Sequence, residues 1–400
     1  MTTLRPRSYA AAAARRSLRS RGRRRQRGQI IVIAAMTMVA LIGGVSLILE
    51  GGNAYAHQRM VQNAADSTAN AGAMILGQRL GGGSQTDSDV YNAIDQMASA
   101  NGLNTYIGYY TDVHGNLLTP LGLTTTDFAS AERVGAADGD TTIPPGTQGV
   151  RVGGSQTFGT TFARVLGINQ FTASADATAV TGGLTGGVFM PVVFPVSLAN
   201  CDGSGNVVVT DAPWRLADPN PTDPTLHPIG QEYIVPLCKT GAGSFMILNL
   251  DPTLTCAQMV TNPSSIQFND FPVDVPSDNG NNCAQQIGGA VTTAGLQGQV
   301  VMIPICDGQC VTQGTGSNAT YHIIRIVAFY LDYLSYTNSG TNAACSLTTS
   351  PTYGTSIVNI TGGNGSSSCM AGWFVRYVTS GPVGTGNIQN GEAIGVQLIR

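Results

Sequence analysis

Residues 28–80 read GQIIVIAAMTMVALIGGVSLILEGGNAYAHQRMVQNAADSTANAGAMILGQRL. The stretch 30–49 contains no charged side chain. As a helix rising about 1.5 Å per residue it is about 30 Å long, the thickness of a bilayer's hydrocarbon core. A buried core helix is the competing explanation. The length, the apolar residues on every face and the arginines just upstream favour a membrane span. Those arginines are Arg5, Arg7, Arg15, Arg16, Arg19, Arg21, Arg23, Arg24, Arg25 and Arg27, and no acid occurs before Glu50. Arg-rich flanks stay cytoplasmic, so residues 1–28 are expected inside and residues 50–400 outside. The tract lacks interleaved aromatics, so nucleic-acid binding is not expected.

The rest of the chain has the opposite balance, with 10 basic and 23 acidic side chains over residues 28–400. Charged residues are only 11% of the whole, against a usual ~25%, while Gly reaches 51 and Pro 19, and Lys239 is the sole lysine. This profile argues against a cytosolic helical enzyme or a coiled coil. It suits a turn-rich β domain outside the cytoplasm.

Cleavage after Ala54-Tyr55-Ala56 would release such a domain. Signal-peptide apolar regions run about 7–15 residues, whereas this run is longer and the candidate site lies beyond Glu50. The anchor is therefore expected to be retained. Arg15-Arg16 sits too far upstream of the apolar run for a twin-arginine signal.

Beyond Glu50 no Pro interrupts the chain up to residue 80. Small or apolar residues recur at Val61, Ala65, Thr68, Gly72, Ile75 and Leu76, a helical stripe. Ala64, Ala69, Ala71 and Ala73 make that face smooth enough for another helix to approach. Residues 30–80 are predicted to form one helix of about 75 Å, ended by Gly81-Gly82-Gly83, with Gly43-Gly44 and Gly51-Gly52 as candidate kinks. Packing against the protein's own ectodomain is the other use for the stripe.

The residues Arg27-Gly28-Gln29, the span, Glu50, Gly52, Tyr55, Arg59, Gln62, Ala65 and Asp66 form an ordered pattern. It resembles the N-terminal module of TadE/TadG-like Flp pilus-assembly proteins. Two departures are visible. Glu50 stands where Asp is commoner, and Ser67-Thr68-Ala69-Asn70 replaces a run of Ala and Leu. Residues 88–104 resemble the family's second helix with its Asn-Gly turn, and residues 157–180 its Phe-x-x-x-Leu-Gly segment and following strand. Ile33 occupies the position where a processed pilin carries Glu, so prepilin-peptidase cleavage is not expected. Some TadG relatives carry a von Willebrand A-like domain, but the D-x-S-x-S motif is absent here.

From residue 181 the chain reads as short strands between turn clusters: 188–196, 207–210, 245–250, 299–305, 321–334, 356–360, 373–379 and 393–399. A sandwich-like β domain is expected. All eight cysteines lie there: Cys201, Cys238, Cys256, Cys283, Cys306, Cys310, Cys345 and Cys369. An even set confined to the outer side reads as up to four disulfides, with connectivity open; pairing of sequence neighbours is the simplest arrangement. No C-x-x-C supports zinc. His57, His114, His227 and His322 are scattered, and no hydrolase, Walker or dinucleotide motif occurs. Asp202 to Asn206 and Asp278-Asn279 read as turns rather than Ca²⁺ ligands. Tyr109-Tyr110 and Tyr330, Tyr333 and Tyr336 read as packing or as an adhesive surface.

The chain is thus expected to be α+β, divided as an Arg-rich cytoplasmic tail (1–28), a transmembrane helix (29–49), a helical stem with a small α+β region (50–181) and a cysteine-containing β-rich extracytoplasmic domain (182–400). No catalytic, metal or cofactor site is expected. The resemblance implies a structural part in a Tad/Flp-type pilus or secretion system, with pilus-assembly or pilin-like partners bound through the stem. An anchored adhesin with a Tad-like stalk is the alternative.

Overall fold

A computed structural model gives the fold. It describes residues 10–135, 142–196, 199–201, 207–209, 216–217, 233–236, 244–279, 281–308, 310, 313–314, 319–335, 345–346, 359–360, 369–386, 388 and 392–399. The chain forms two compact units, one of Met1–Val61 with Ser155–Ala175, the other of Gln62–Gly154 with Asp176–Arg400.

Helix α1 runs Ala10–Leu80 without a break at either glycine pair. Its most apolar window of 18 residues has a mean hydropathy of 2.5 and is not buried by protein, so the helix is long and apolar enough to cross a membrane. Every side chain from Ile30 to Leu49 is exposed except the half-exposed Ser46. The helix stops where glycines replace the apolar stripe, with Gly83 N–H donating to Gln78 O and Gly82 N–H to Arg79 O, both at 2.9 Å. These bonds satisfy carbonyls that a helix end would otherwise orphan.

In the second unit, the far end of α1 buries its small-residue stripe. Ala64, Ala65, Thr68, Ala69, Ala73 and Leu76 are each at most 2% exposed. The neighbours are the chain's own. A Cβ on Gly72 would lie 2.9 Å from Ile94 Cγ1, and one on Gly77 would lie 3.1 Å from Ile394 Cγ2. Helix α2 (Asp87–Ala100) supplies Val90, Ile94 and Ala98 to the same packing. It closes through the expected Asn-Gly turn: Leu103 N–H reaches Ala98 O at 3.0 Å, and Gly102 takes φ +71°, which side chains resist.

The strands used below are β1 (Thr105–Thr111), β2 (Leu117–Leu118), β3 (Thr124–Thr125), β4 (Gly149–Gly159), β5 (Gln170–Gly183), β6 (Ser244–Leu248), β7 (Val273–Asn279), β8 (Gln299–Cys306), β9 (Thr320–Ser335), β10 (Cys369–Val375), β11 (Val378–Ser380) and β12 (Ile394–Ile399). One sheet orders its seven described strands β11-β12-β5-β4-β1-β2-β3. The chain's last strand therefore lies beside β5, with Ile394 opposite Gly183 and Ile399 opposite Thr178, so this sheet draws on both sides of residue 181.

A second sheet centres on β9, flanked by β8, β7 and β10. Alternate residues of β9 serve two cores. Tyr321, Ile323, Val327, Phe329 and Leu331 face one, while Ile326, Ala328 and Tyr330 face the other. A strand covered on both faces reads as an unbroken apolar run, as residues 326–331 do. The first core is roofed by two helices that fall between the expected strands: α3 (Cys256–Thr261) gives Met259 and Val260, and α4 (Asn281–Ala294) gives Ile287, Ala290 and Val291. Their covering role explains why the region is mixed α+β rather than strand alone.

Cys306 and Cys310 form a disulfide at the end of β8, with Cα atoms 5.3 Å apart. Cys256 is also disulfide-bonded. The side chains of Cys201, Cys238, Cys283, Cys345 and Cys369 lie outside the described residues, as do His227, the Asp202 to Asn206 turn and Tyr336. Tyr109-Tyr110 is core, not an adhesive surface. Tyr110 is fully buried and its hydroxyl donates to Asp87 Oδ1 at 2.6 Å, while Tyr109 meets Phe128 edge-on. Tyr330 likewise packs on Trp373 with ring centroids 5.4 Å apart.

Candidate functional site

The ordered pattern from Gly28 to Asp66 lies entirely on α1, and the structure sorts its members by face. Glu50 is the first charge after the apolar run and is only 8% exposed. Its Oε1 accepts from the backbone N–H of Thr161 at 2.6 Å, Phe162 at 2.5 Å and Ala163 at 3.2 Å. These three donors open a 3₁₀ turn, Ala163–Leu166, whose first N–H groups have no partner of their own. The turn ends with Gly167 at φ +85° and Ile168 N–H on Ala163 O at 3.1 Å. Thr160 closes the loop, its N–H on Asn169 O at 3.1 Å and its hydroxyl on Ile168 O at 2.5 Å.

So the acid that follows the span and the Phe-x-x-x-Leu-Gly segment about a hundred residues later are two halves of one clamp. Sequence reasoning found both halves but not their bond, because no local signal links them. His57 adds a second tie. It stacks on Phe158 at 3.8 Å with planes 6° apart, and its Nδ1 donates to Gln156 Oε1 at 3.1 Å. Gln58 donates to Ser174 O at 2.8 Å.

Burial pushes the Glu50 carboxyl's pKa up, but the three backbone donors together outweigh it and hold the group below its ordinary value. The sign of the linkage follows. A carboxylate depressed in the folded state adds stability above its unfolded pKa, and that contribution disappears as pH falls through the folded value. The clamp is therefore complete at neutral pH. Glu50→Gln removes the charge, and amides 161–163 are expected to exchange with solvent about 10- to 100-fold faster. Hydrogen exchange of the peptide spanning 160–168 measures this. In the parent, protection relative to the intrinsic exchange rate should fall by the same factor on acidification and stay level in the variant; unchanged protection in Glu50→Gln would refute the clamp.

Gly52, Tyr55 and Arg59 point the other way. All three are exposed, nothing lies within 4 Å of a Cβ on Gly52, and the Arg59 guanidinium sits 5.1 Å from the Tyr55 ring centroid. In the second unit, Ala65 is fully buried, and Gln62 Nε2 donates to Asp66 Oδ1 at 2.8 Å and Asp176 O at 3.2 Å. Gln62 and Asp66 thus line a groove of about 840 Å³ with His114, Arg151 and Asp176. Arg151 is paired there with Asp176 at 2.7 Å. His114 is fixed in an Asx turn, where Asp112 Oδ1 accepts from the N–H groups of His114 and Asn116. His322 pairs with Asp274 at 2.7 Å. Among the described residues no cluster of His, Cys, Asp and Glu has the makings of a metal centre.

No curated protein and no solved structure matches the chain. The family comparison falls on the helix just described: residues 28–74, from the start of the span through the clamp to the buried stripe, match the Tad family of TadE/G-like Flp pilus-assembly proteins.

Proposed function

We propose that this protein is a single-pass, membrane-anchored assembly component of a Tad/Flp-type pilus or secretion system, working through protein–protein contacts. Its N-terminal arginines stay in the cytoplasm, and its disulfide-bonded domain stands outside the cytoplasmic membrane. The reading is carried by the match over residues 28–74 to pilus-assembly proteins. The exposed apolar run fits the anchor, the upstream arginines fit the orientation, and oxidised Cys256, Cys306 and Cys310 fit a compartment where disulfides persist.

The face for partners is not the smooth stripe, because α2 and the first sheet occupy it within the second unit. Gln62 and Asp66 are tied to the chain itself. Between the apolar run and the buried stripe, α1 is open on the outer side of residues 51–60, where Tyr55 is 61% and Met60 55% exposed. A photoreactive group at Tyr55 or Met60, activated in intact cells, is expected to capture a pilin-like or pilus-assembly protein, and deletion of the gene to impair piliation. Capture of none of these, with normal pili in the deletion strain, would refute the reading.

A further inference from the structure

Within the first unit, the hairpin made by β4 and β5 carries a closed tip. Thr160, Gly167 and Ile168 bond within the loop and the amides of 161–163 bond Glu50, so these backbone groups face inward and the exposed side chains are what the tip offers outward. Phe162 is 38% and Ile168 43% exposed, and Arg164 is exposed between them. A large aromatic and a β-branched residue thus keep part of their apolar surface open on a loop of ten residues.

The tip's position is fixed by a short chain of distances. Glu50 is the residue immediately after the uncharged 30–49 segment. The amide nitrogens of residues 161–163 lie within 3.2 Å of its carboxylate. Where 30–49 fills the hydrocarbon core, the tip must therefore stand at the level where α1 leaves it. An acid at that boundary is costly unless fully hydrogen-bonded, and three N–H donors supply the bonds. A phenyl ring and an isoleucyl side chain at that level reach the zone that apolar side chains enter in interfacial segments, about 5–10 Å deep. Arginine beside them matches the phosphate layer.

We infer that the 160–168 tip is a membrane foot: Phe162 and Ile168 enter the headgroup–acyl boundary of the same bilayer that holds α1, and Arg164 meets lipid phosphates. The anchor then has two points of contact, a span and a foot braced against it through Glu50. This inference rests on the membrane reading above, and its test separates the two.

Three single variants of the full chain, Phe162→Trp, Ile168→Trp and Leu41→Trp, are reconstituted without other proteins in nanodiscs. Each is compared with the parent in lipid carrying bromines either near the headgroup end or deep in the acyl chain. Position 41, in mid-span, should be quenched by deep bromines. The foot predicts that tryptophans at 162 and 168 emit at shorter wavelength than in water, lose most of the added fluorescence to shallow bromines, and resist aqueous iodide. Quenching at 41 with iodide-accessible, bromine-insensitive tryptophans at 162 and 168 overturns the foot while leaving the anchor standing, and would reassign the tip to a protein partner. No bromine quenching at any of the three overturns both.

Discussion

Placing Val39→Arg and Leu41→Arg together in α1 is expected to remove the full chain from the membrane fraction while leaving the second unit folded. The two positions are 71% and 65% exposed, and two residues apart on a helix they point to nearly opposite sides, so no single neighbouring helix shields both. Each arginine near the centre of a span costs about 2.5–3.5 kcal/mol on an insertion scale. Together they reach about 5–7 kcal/mol, a drop of about four orders of magnitude in insertion. Alkaline extraction of membranes, followed by immunoblotting, reads the partition. The second unit should keep its near-ultraviolet circular dichroism, because no residue of 30–49 belongs to it. Retention of the double variant in extracted membranes would mean that the segment does not span.

The long apolar helix was the easiest part to read. Twenty residues without charge form its first exposed part, and the Pro-free, alanine-rich continuation to Leu80 leaves nothing to break it. The two glycine pairs left it intact because neighbouring residues with high helix propensity outweigh about 1 kcal/mol per glycine. The long strand β9 was equally legible from residues 321–334, since apolar residues on both faces give an uninterrupted run. Two harder cases share one cause, that the deciding contact is distant in sequence. Glu50 reads only as an acid after a span; its partners are more than a hundred residues away. Strand β12 was foreseen as a strand, but nothing in residues 394–399 announces that they pair with 178–183. Helix α3 did carry a local signal that went unused. Thr255 and Gln258 have capping-box spacing, and in the structure Thr255 N–H donates to Gln258 Oε1 at 2.9 Å. Helix α4 hides better: Gly288, Gly289 and its threonines are poor helix formers, and burial of Ile287, Ala290 and Val291 stabilises it instead.

Trp373→Ala is expected to destabilise the second unit by about 3–5 kcal/mol, the usual cost of emptying a buried aromatic site. Trp373 is 2% exposed and lies opposite Tyr330 in the β9–β10 ladder. Its cluster also contains Leu184, which follows β5, and Ala393, which precedes β12. The cavity would therefore open where the two sheets meet, not inside either one. Both should weaken together: denaturation of the full chain in detergent should shift its midpoint as one transition, and amides of β12 should lose protection along with those of β9. Tyr377→Ala, at a position 36% exposed, is expected to change stability by no more than about 0.5 kcal/mol. If Trp373→Ala melted β9 while β12 kept its parental protection, the sheets would be independent folding pieces. Joint loss means instead that the two sheets of the second unit fold as one body, joined through the cluster that holds Leu184, Trp373 and Ala393.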